Sequence, residues 1–286
     1  MEEKIVSLRW AIGLSGLLSL LKGGVGVFCS SAALLASAVD SLMDVGISSA
    51  NYLAVRQGAK PPDWNHAYGH EKIESLASYT QGVIILIFAF LIFGEGLRRT
   101  LTGTIVSHSG FALVTIASAS FVNLFLTGIL GRAQKKTGSL ILKAERAHYL
   151  MDIYSYAAIF LALFLVRLTG WPGWDIVGAV LLAGYVAFLA VQILRQAANE
   201  LVDRSLSRNA LDALDALIRR HPQILDYHEM RTRKAGNKTF IDFHLVMRPN
   251  QSFQVAHNIT ESLIQKIKSR FENSDVTIHE DPEGGI

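Results

Sequence analysis

The stretch Ser31 to Arg56, SAALLASAVDSLMDVGISSANYLAVR, is a long apolar segment that carries two carboxylates, Asp40 and Asp44, near its middle. Its composition predicts a membrane-spanning helix, for which about 20 mostly apolar residues are needed. Residues four apart lie on one face of a helix, so both carboxylates project to the same side. Ionisable groups at membrane depth are costly and usually mark an ion or proton path. This stretch therefore predicts a transport site inside a membrane.

A second apolar segment, AHYLMDIYSYAAIFLALFLV, repeats this spacing with His148 and Asp152. Together the two segments supply three carboxylates and one imidazole, a tetrahedral ligand set that suits Zn²⁺. The single cysteine, Cys29, excludes a thiolate cluster, so a metal site must use Asp, Glu and His. The alternative is that each polar residue only hydrogen-bonds a neighbouring helix.

The composition is that of a polytopic membrane protein with a modest soluble part. Of the 286 residues, 50% are hydrophobic, the mean hydropathy is +0.31 and the net charge is +3. Lys22, within the first apolar span, is expected to snorkel toward the outer interface. We predict a membrane all-α domain, residues 1–204, followed by a small cytoplasmic α+β domain, residues 205–286. The six predicted transmembrane helices lie near 10–29, 33–55, 77–97, 110–131, 147–168 and 175–198.

The orientation follows from the basic residues in the short loops. With the N-terminus inside, most of the loop Lys and Arg residues fall on the cytoplasmic side, so both termini are predicted to be cytoplasmic. These residues are scattered around the membrane segments and form no basic stripe with interleaved aromatic residues. We therefore expect no nucleic-acid partner.

The tail after the sixth span predicts an αββαβ order. LDALDALIRR is amphipathic, and ILDYHEMRTRKAG and KTFIDFHLVM are strand-like segments joined by a turn at Gly236 and Asn237. VAHNITESLIQKIKSRF has helical periodicity, and DVTIHED closes the domain as a strand.

Two further groups of candidate metal ligands lie outside the membrane segments. Asp63, His66 and His70 fall within eight residues of the loop PPDWNHAYGHEKIE, close enough to reach one ion. The alternative is a solvated loop whose histidines have no role. HEKIE lacks the second histidine of HExxH, so no zinc-protease motif is present. The tail candidates are His228, His244, His257, His279 and Asp281.

Together these features resemble the cation diffusion facilitator family. The resemblance rests on DxxxD in the second span, HxxxD in the fifth, the loop DxxHxxxH, and a tail containing HEMRTRKAG and TIHEDP. It covers almost the whole chain and is closest to the bacterial zinc/iron efflux members of the family.

The resemblance implies a homodimer in the bacterial inner membrane, in which each protomer exports a divalent cation in exchange for protons. It implies that Asp40, Asp44, His148 and Asp152 form the transport site, and that Asp63, His66 and His70 form a loop site. In a metallochaperone-like tail, His228, His244 and Asp281 would hold one ion and His257, His279 and Asp281 a second. Lys72 and Asp203 match the family's charge interlock between the third and sixth helices.

Imidazole ligands favour Zn²⁺ over Mn²⁺ or Mg²⁺, but Fe²⁺, Cd²⁺ and Co²⁺ stay open as substrates. Two other classes of function are also open. A membrane-anchored metal sensor would need the tail ligands but not the intramembrane pairs. A metal-dependent membrane enzyme would need a nucleophile or general base beside the metal, and the sequence shows no such motif.

Overall fold

The chain folds into two compact units, Met1–Ala198 and Asn199–Ile286. The computed structural model describes residues 1–28, 32–102, 110–171, 173–249 and 251–283. The short loop predicted between the first two spans, around Cys29 and Ser30, lies outside the described residues. The division between the units falls in the last turn of a helix that ends at Leu201.

Long helices make up the N-terminal unit. They are α1 (Glu2–Phe28), α2 (Ala32–Gly58), α3 (Lys72–Thr102), α4 (Gly110–Thr137), α5 (Leu140–Thr169) and α6 (Trp174–Leu201). Within the described residues, α1, α5 and parts of α3 and α6 are long and apolar enough to span a membrane. That α2 and α4 also cross the membrane stays a prediction. Large apolar side chains such as Leu20, Phe90 and Phe121 are exposed, as expected for surfaces that face lipid.

Helix α5 lies between two groups of helices, and this position brings its polar residues to the interior. Ile141, Leu142 and Tyr149 pack in one core with residues of α1, α2 and α4. Ala144, Ala147 and Met151 pack in a second core with residues of α3 and α6. The helix ends at Thr169 and is capped by Gly170, whose φ of 71° is in the left-handed region and whose N–H donates to the Val166 carbonyl at 2.8 Å.

The C-terminal unit has the predicted αββαβ order. Its elements are α7 (Arg208–Arg219), β1 (Ile224–Ala235), β2 (Lys238–Met247), α8 (Phe253–Arg270) and β3 (Ser274–Pro282). Strand β2 is central, antiparallel to β1 and parallel to β3. The predicted turn at Gly236 and Asn237 is confirmed, and Gly236 adopts a φ of 55° that glycine tolerates without strain.

The two faces of β2 differ as its alternation predicts. Ile241, Phe243 and Leu245 are buried in a core with residues of α7 and α8. His244 lies on the other face, which leaves it at the surface of the sheet. Both tail helices therefore cover one side of the sheet, and the candidate ligand His244 lies on the opposite side.

Candidate metal-binding sites

The membrane unit brings together three of the four predicted transport-site residues. Asp44 on α2 and His148 and Asp152 on α5 each offer a ligand atom within 4.8 Å of the others. The His148 Nε2 lies 2.8 Å from Asp44 Oδ1, and the His148 residue is 4% exposed. Ligands on two different helices thus meet because the i, i+4 spacing on α5 turns both His148 and Asp152 toward α2.

Asp40 lies near this cluster but outside it. It lines, with the three clustered residues, a cavity of about 250 Å³. The one-turn separation from Asp44 keeps Asp40 on the same face of α2, so it borders the same space. The cavity is large enough for a cation that retains part of its water shell.

Two residues that line this cavity have roles that the sequence did not predict. The Asn123 side-chain amide on α4 donates to Asp152 Oδ2 at 3.2 Å and so orients that carboxylate. Lys22 on α1 is 6% exposed, and its ammonium donates to the Ser41 hydroxyl at 2.8 Å. The expected extension of Lys22 toward the outer interface is therefore wrong, because the side chain turns into the contact between α1 and α2.

A buried carboxylate, Glu145, lies one turn before His148 on α5. It is 1% exposed and accepts hydrogen bonds from Ser48, Asn51 and Gln81, the last at 3.0 Å. These donors come from α2 and α3, so the carboxylate joins three helices. Glu145 precedes the span predicted from residue 147, so no sequence pattern places it inside the unit.

The loop between α2 and α3 brings Asp63, His66 and His70 together. Their ligand atoms lie within 4.8 Å of one another. His66 Nδ1 is 3.2 Å from Asp63 Oδ1, and His70 Nε2 is 3.3 Å from Asp63 Oδ2. Backbone and side-chain hydrogen bonds from His66 lower the pKa of the Asp63 carboxyl, so the carboxylate is ionised over the physiological pH range. The loop is therefore a compact group of three potential metal ligands.

In the tail, three histidines form a row across the sheet. His228 on β1 is directly paired with His244 on β2, and His244 with His279 on β3. The ring centroids are 5.0 Å apart for the first pair and 4.7 Å for the second. Strand register alone places these side chains side by side on one face.

Asp281 completes the tail cluster from the end of β3. Its Oδ2 lies 2.9 Å from His244 Nδ1 and 3.1 Å from His228 Nε2, and its Oδ1 lies 3.3 Å from His279 Nε2. The hydrogen bond from His244 and the nearby imidazoles lower the pKa of the Asp281 carboxyl. One carboxylate thus contacts His228 and His244 through Oδ2 and His279 through Oδ1.

The remaining predicted site residues lie elsewhere. His257 on α8 is exposed and stacks on Phe253 with ring centroids 6.2 Å apart. Among the described residues it does not join the tail cluster, so its role in a second tail site stays a prediction. Asp203 Oδ1 lies 3.4 Å from the Arg233 guanidinium Nη1 within the C-terminal unit. Lys72 begins α3 in the N-terminal unit, and the proposed interlock with Asp203 also stays a prediction.

Comparison with known proteins identifies the class. Residues 8–202 match the family model of the cation efflux transmembrane domain, and residues 206–283 match that of the cation efflux protein, cytoplasmic domain. The chain belongs to the cation efflux family, which confirms the resemblance drawn from its motifs. It is a multi-pass membrane transporter of metal cations and not an enzyme.

Curated relatives are similar over nearly the whole chain. The cation-efflux pump FieF of Shewanella oneidensis is 35% identical over 256 residues, which cover 90% of this chain and 86% of the relative. The cation-efflux pump FieF of Escherichia fergusonii is 32% identical over 275 residues, covering 95% and 90% respectively. The chain is therefore a transporter of the FieF type. A solved metal-bound C-terminal domain of the CzcD transporter from Thermotoga maritima is 28% identical over 28% of this chain and 99% of that one, with a TM-score of 0.27.

Proposed function

We propose that this transporter exports Zn²⁺ from the cytoplasm in exchange for protons, by alternating access to the site formed by Asp40, Asp44, His148 and Asp152. The observation that carries the proposal is the meeting of two carboxylates and one buried imidazole, within 4.8 Å, beside a cavity in a membrane unit. Carboxylate and imidazole ligands without thiolate fit Zn²⁺. Fe²⁺, Cd²⁺ and Co²⁺ accept the same ligands and are the alternative substrates.

The proton exchange rests on His148. An imidazole has an unperturbed pKa of about 6.5, so its charge changes within the working pH range of a cell. Binding a proton removes the lone pair that coordinates the metal and places a positive charge beside it. Because Asp44 and Asp152 contact or adjoin this imidazole, protonation from the outer side would weaken the whole ligand set and release the ion.

The loop and tail clusters are proposed as cytoplasmic metal sites of a homodimer in a bacterial inner membrane, with both termini in the cytoplasm. The tail match to the cytoplasmic domain of cation efflux proteins supports this placement. Metal binding by the tail would draw the two copies together and bias the membrane helices. A fast exchange of the tail metal under mild chelation is expected for such regulation, whereas a structural ion would resist it.

Metal flux into proteoliposomes under an imposed pH gradient tests the proposal. Zn²⁺, Fe²⁺, Cd²⁺ and Mn²⁺ are compared for the wild type and for Asp152→Ala, with Asp281→Ala as the control that removes a tail ligand instead. We expect saturable, pH-driven Zn²⁺ flux that is lost in Asp152→Ala and retained in Asp281→Ala. Absence of flux for every ion, with tail binding intact, would instead favour a membrane-anchored metal sensor.

A further inference from the structure

A buried lysine faces the transport site from a helix that contributes none of its ligands. Lys22 belongs to α1, whereas the predicted ligands belong to α2 and α5. Its ammonium is held by the Ser41 hydroxyl at 2.8 Å, and Ser41 directly follows Asp40. A charged ammonium at membrane depth is costly unless opposite charge lies close by, so its position requires an electrostatic explanation.

The surroundings of Lys22 supply that opposite charge. It lines the same cavity as Asp40, Asp44 and Asp152, and among the described residues that line this cavity it is the only Lys or Arg. Asn123, Tyr156 and other lining residues are neutral, and His148 must be neutral to coordinate a metal. Lys22 is therefore the one side chain besides His148 that can bring a positive charge to the described part of this cavity.

The charges of a loaded site show what this ammonium does. Three ionised carboxylates and one divalent cation leave one net negative charge, and Lys22 cancels it. Lys22 also repels a divalent cation, so it weakens metal binding relative to the same carboxylates without it. Both effects suit a carrier, because a neutral loaded site costs less at membrane depth and a weakened site releases its ion more readily.

We propose that Lys22 is the fixed counter-charge of the transport site. Its ammonium lowers the affinity for the cation and neutralises the loaded state without coordinating the metal. The inference rests on the proposed exchange of a divalent cation at this site. It makes a prediction opposite to that of a purely structural role. Removing a packing contact weakens binding, whereas removing a repelling charge strengthens it.

The test compares three variants with the wild type in full-length protein. Lys22→Met keeps the length of the side chain and removes its charge, and Lys22→Arg keeps the charge. Ser19→Ala is the matched control, because Ser19 donates to the Ala38 carbonyl at 2.8 Å in the same contact between α1 and α2 but carries no charge. Zn²⁺ binding in nanodiscs at pH 8 is measured calorimetrically, and the transport-site component is defined as the part that Asp152→Ala removes. Flux is measured in parallel in proteoliposomes.

We expect Lys22→Met to bind Zn²⁺ at this site at least about tenfold more tightly while its flux slows, because a unit charge has been removed from a partly desolvated cluster. Lys22→Arg and Ser19→Ala should keep the wild-type affinity. Equal or weaker binding by Lys22→Met would overturn the inference, as would tightening of the same size in Lys22→Arg. Failure of the wild type to transport any ion would overturn the proposed function separately, since the affinity comparison does not depend on flux.

Discussion

The membrane cluster and the tail cluster use the same ligand types but differ in how their surroundings support them. The His148 and Asp44 side chains are 5% and 18% exposed, whereas His279 in the tail is 67% exposed. Water can reach the exposed His279 ring when no ion is bound, but groups at membrane depth depend on protein partners. The Asn123 amide serves Asp152, and the Ser41 hydroxyl serves the Lys22 ammonium. The buried Glu145 carboxylate has its own donors on α2 and α3. The comparison predicts that substitutions in the membrane cluster have large effects on transport and folding, and substitutions in the tail smaller ones.

The largest effect is expected from Asp44→Asn. Asp44 is in direct contact with His148, so the change removes one ligand and the partner that orients the imidazole. Zn²⁺ flux under a pH gradient should fall to the level of protein-free vesicles, although the folded protein is still recovered. His228→Asn, which removes a tail ligand, is the matched control and should keep most of the flux. Equal loss in both variants would end the distinction between the two clusters.

The buried carboxylate of Glu145 predicts the next largest effect. Glu145→Leu removes an acceptor shared by Ser48, Asn51 and Gln81. The Ser48 hydroxyl keeps the Tyr149 hydroxyl and the Asn51 amide keeps Gln81 as partners, so only part of this donor set is left unsatisfied, at about 1 to 3 kcal/mol for each buried group. We expect the free energy of unfolding in mixed micelles to fall by about 2 to 4 kcal/mol, measured by titration with a denaturing detergent.

Glu3 provides the control for this measurement. It forms a surface ion pair with Lys136 at 2.7 Å, in which both side chains are largely exposed. Glu3→Gln should change the free energy of unfolding by less than about 1 kcal/mol. A Glu145→Leu variant as stable as Glu3→Gln would show that the carboxylate is not needed to join α2, α3 and α5.

A smaller effect is expected when the shared ligand of the tail is altered. Asp281 contacts three histidines, so Asp281→Asn removes an anionic ligand from both halves of the tail cluster. Tail affinity for Zn²⁺ should fall about 10- to 100-fold, while flux at saturating Zn²⁺ changes much less. Calorimetry and flux on the same preparation measure both quantities. A loss of flux as complete as in Asp44→Asn would place the tail in the transport step itself.

Local sequence patterns were sufficient for most of the tail. The alternation in KTFIDFHLVM predicted which residues of β2 face the core, and Gly236 with Asn237 predicted the hairpin turn. Strand pairing then brought His228, His244 and His279 into one row. These features depend on neighbours along the chain or on a single register, and both leave a visible pattern in the sequence.

The membrane unit was less predictable, because a uniformly apolar helix does not show which side faces its neighbours. Asp44 and His148 were recognised since their spacing repeats on two helices. Lys22 was expected at the outer interface, and only the packing of α1 on α2 turns it toward Ser41. Glu145 belongs to no motif and lies before the predicted span. Its burial results from α5 beginning at Leu140, which places it between α2 and α3.

The smallest predicted effect concerns acid stability of the metal-free tail. The hydrogen bond from His244 and the other imidazoles lower the pKa of Asp281 in the folded protein, whereas an unfolded aspartate has a pKa of about 3.9. The ionised carboxylate therefore stabilises the tail above about pH 3.9, and this contribution is lost as the pH falls through the lowered pKa. The Asp281→Asn variant lacks this stabilisation at every pH. The β2 amides of the variant should therefore lose hydrogen-exchange protection at a pH a few tenths of a unit higher than those of the wild type. Glu272→Gln, an exposed change in the same unit, should leave that midpoint unchanged. A midpoint for Asp281→Asn equal to that of the wild type would show that the tail cluster contributes nothing to folding without metal, and would separate it still further from the membrane cluster.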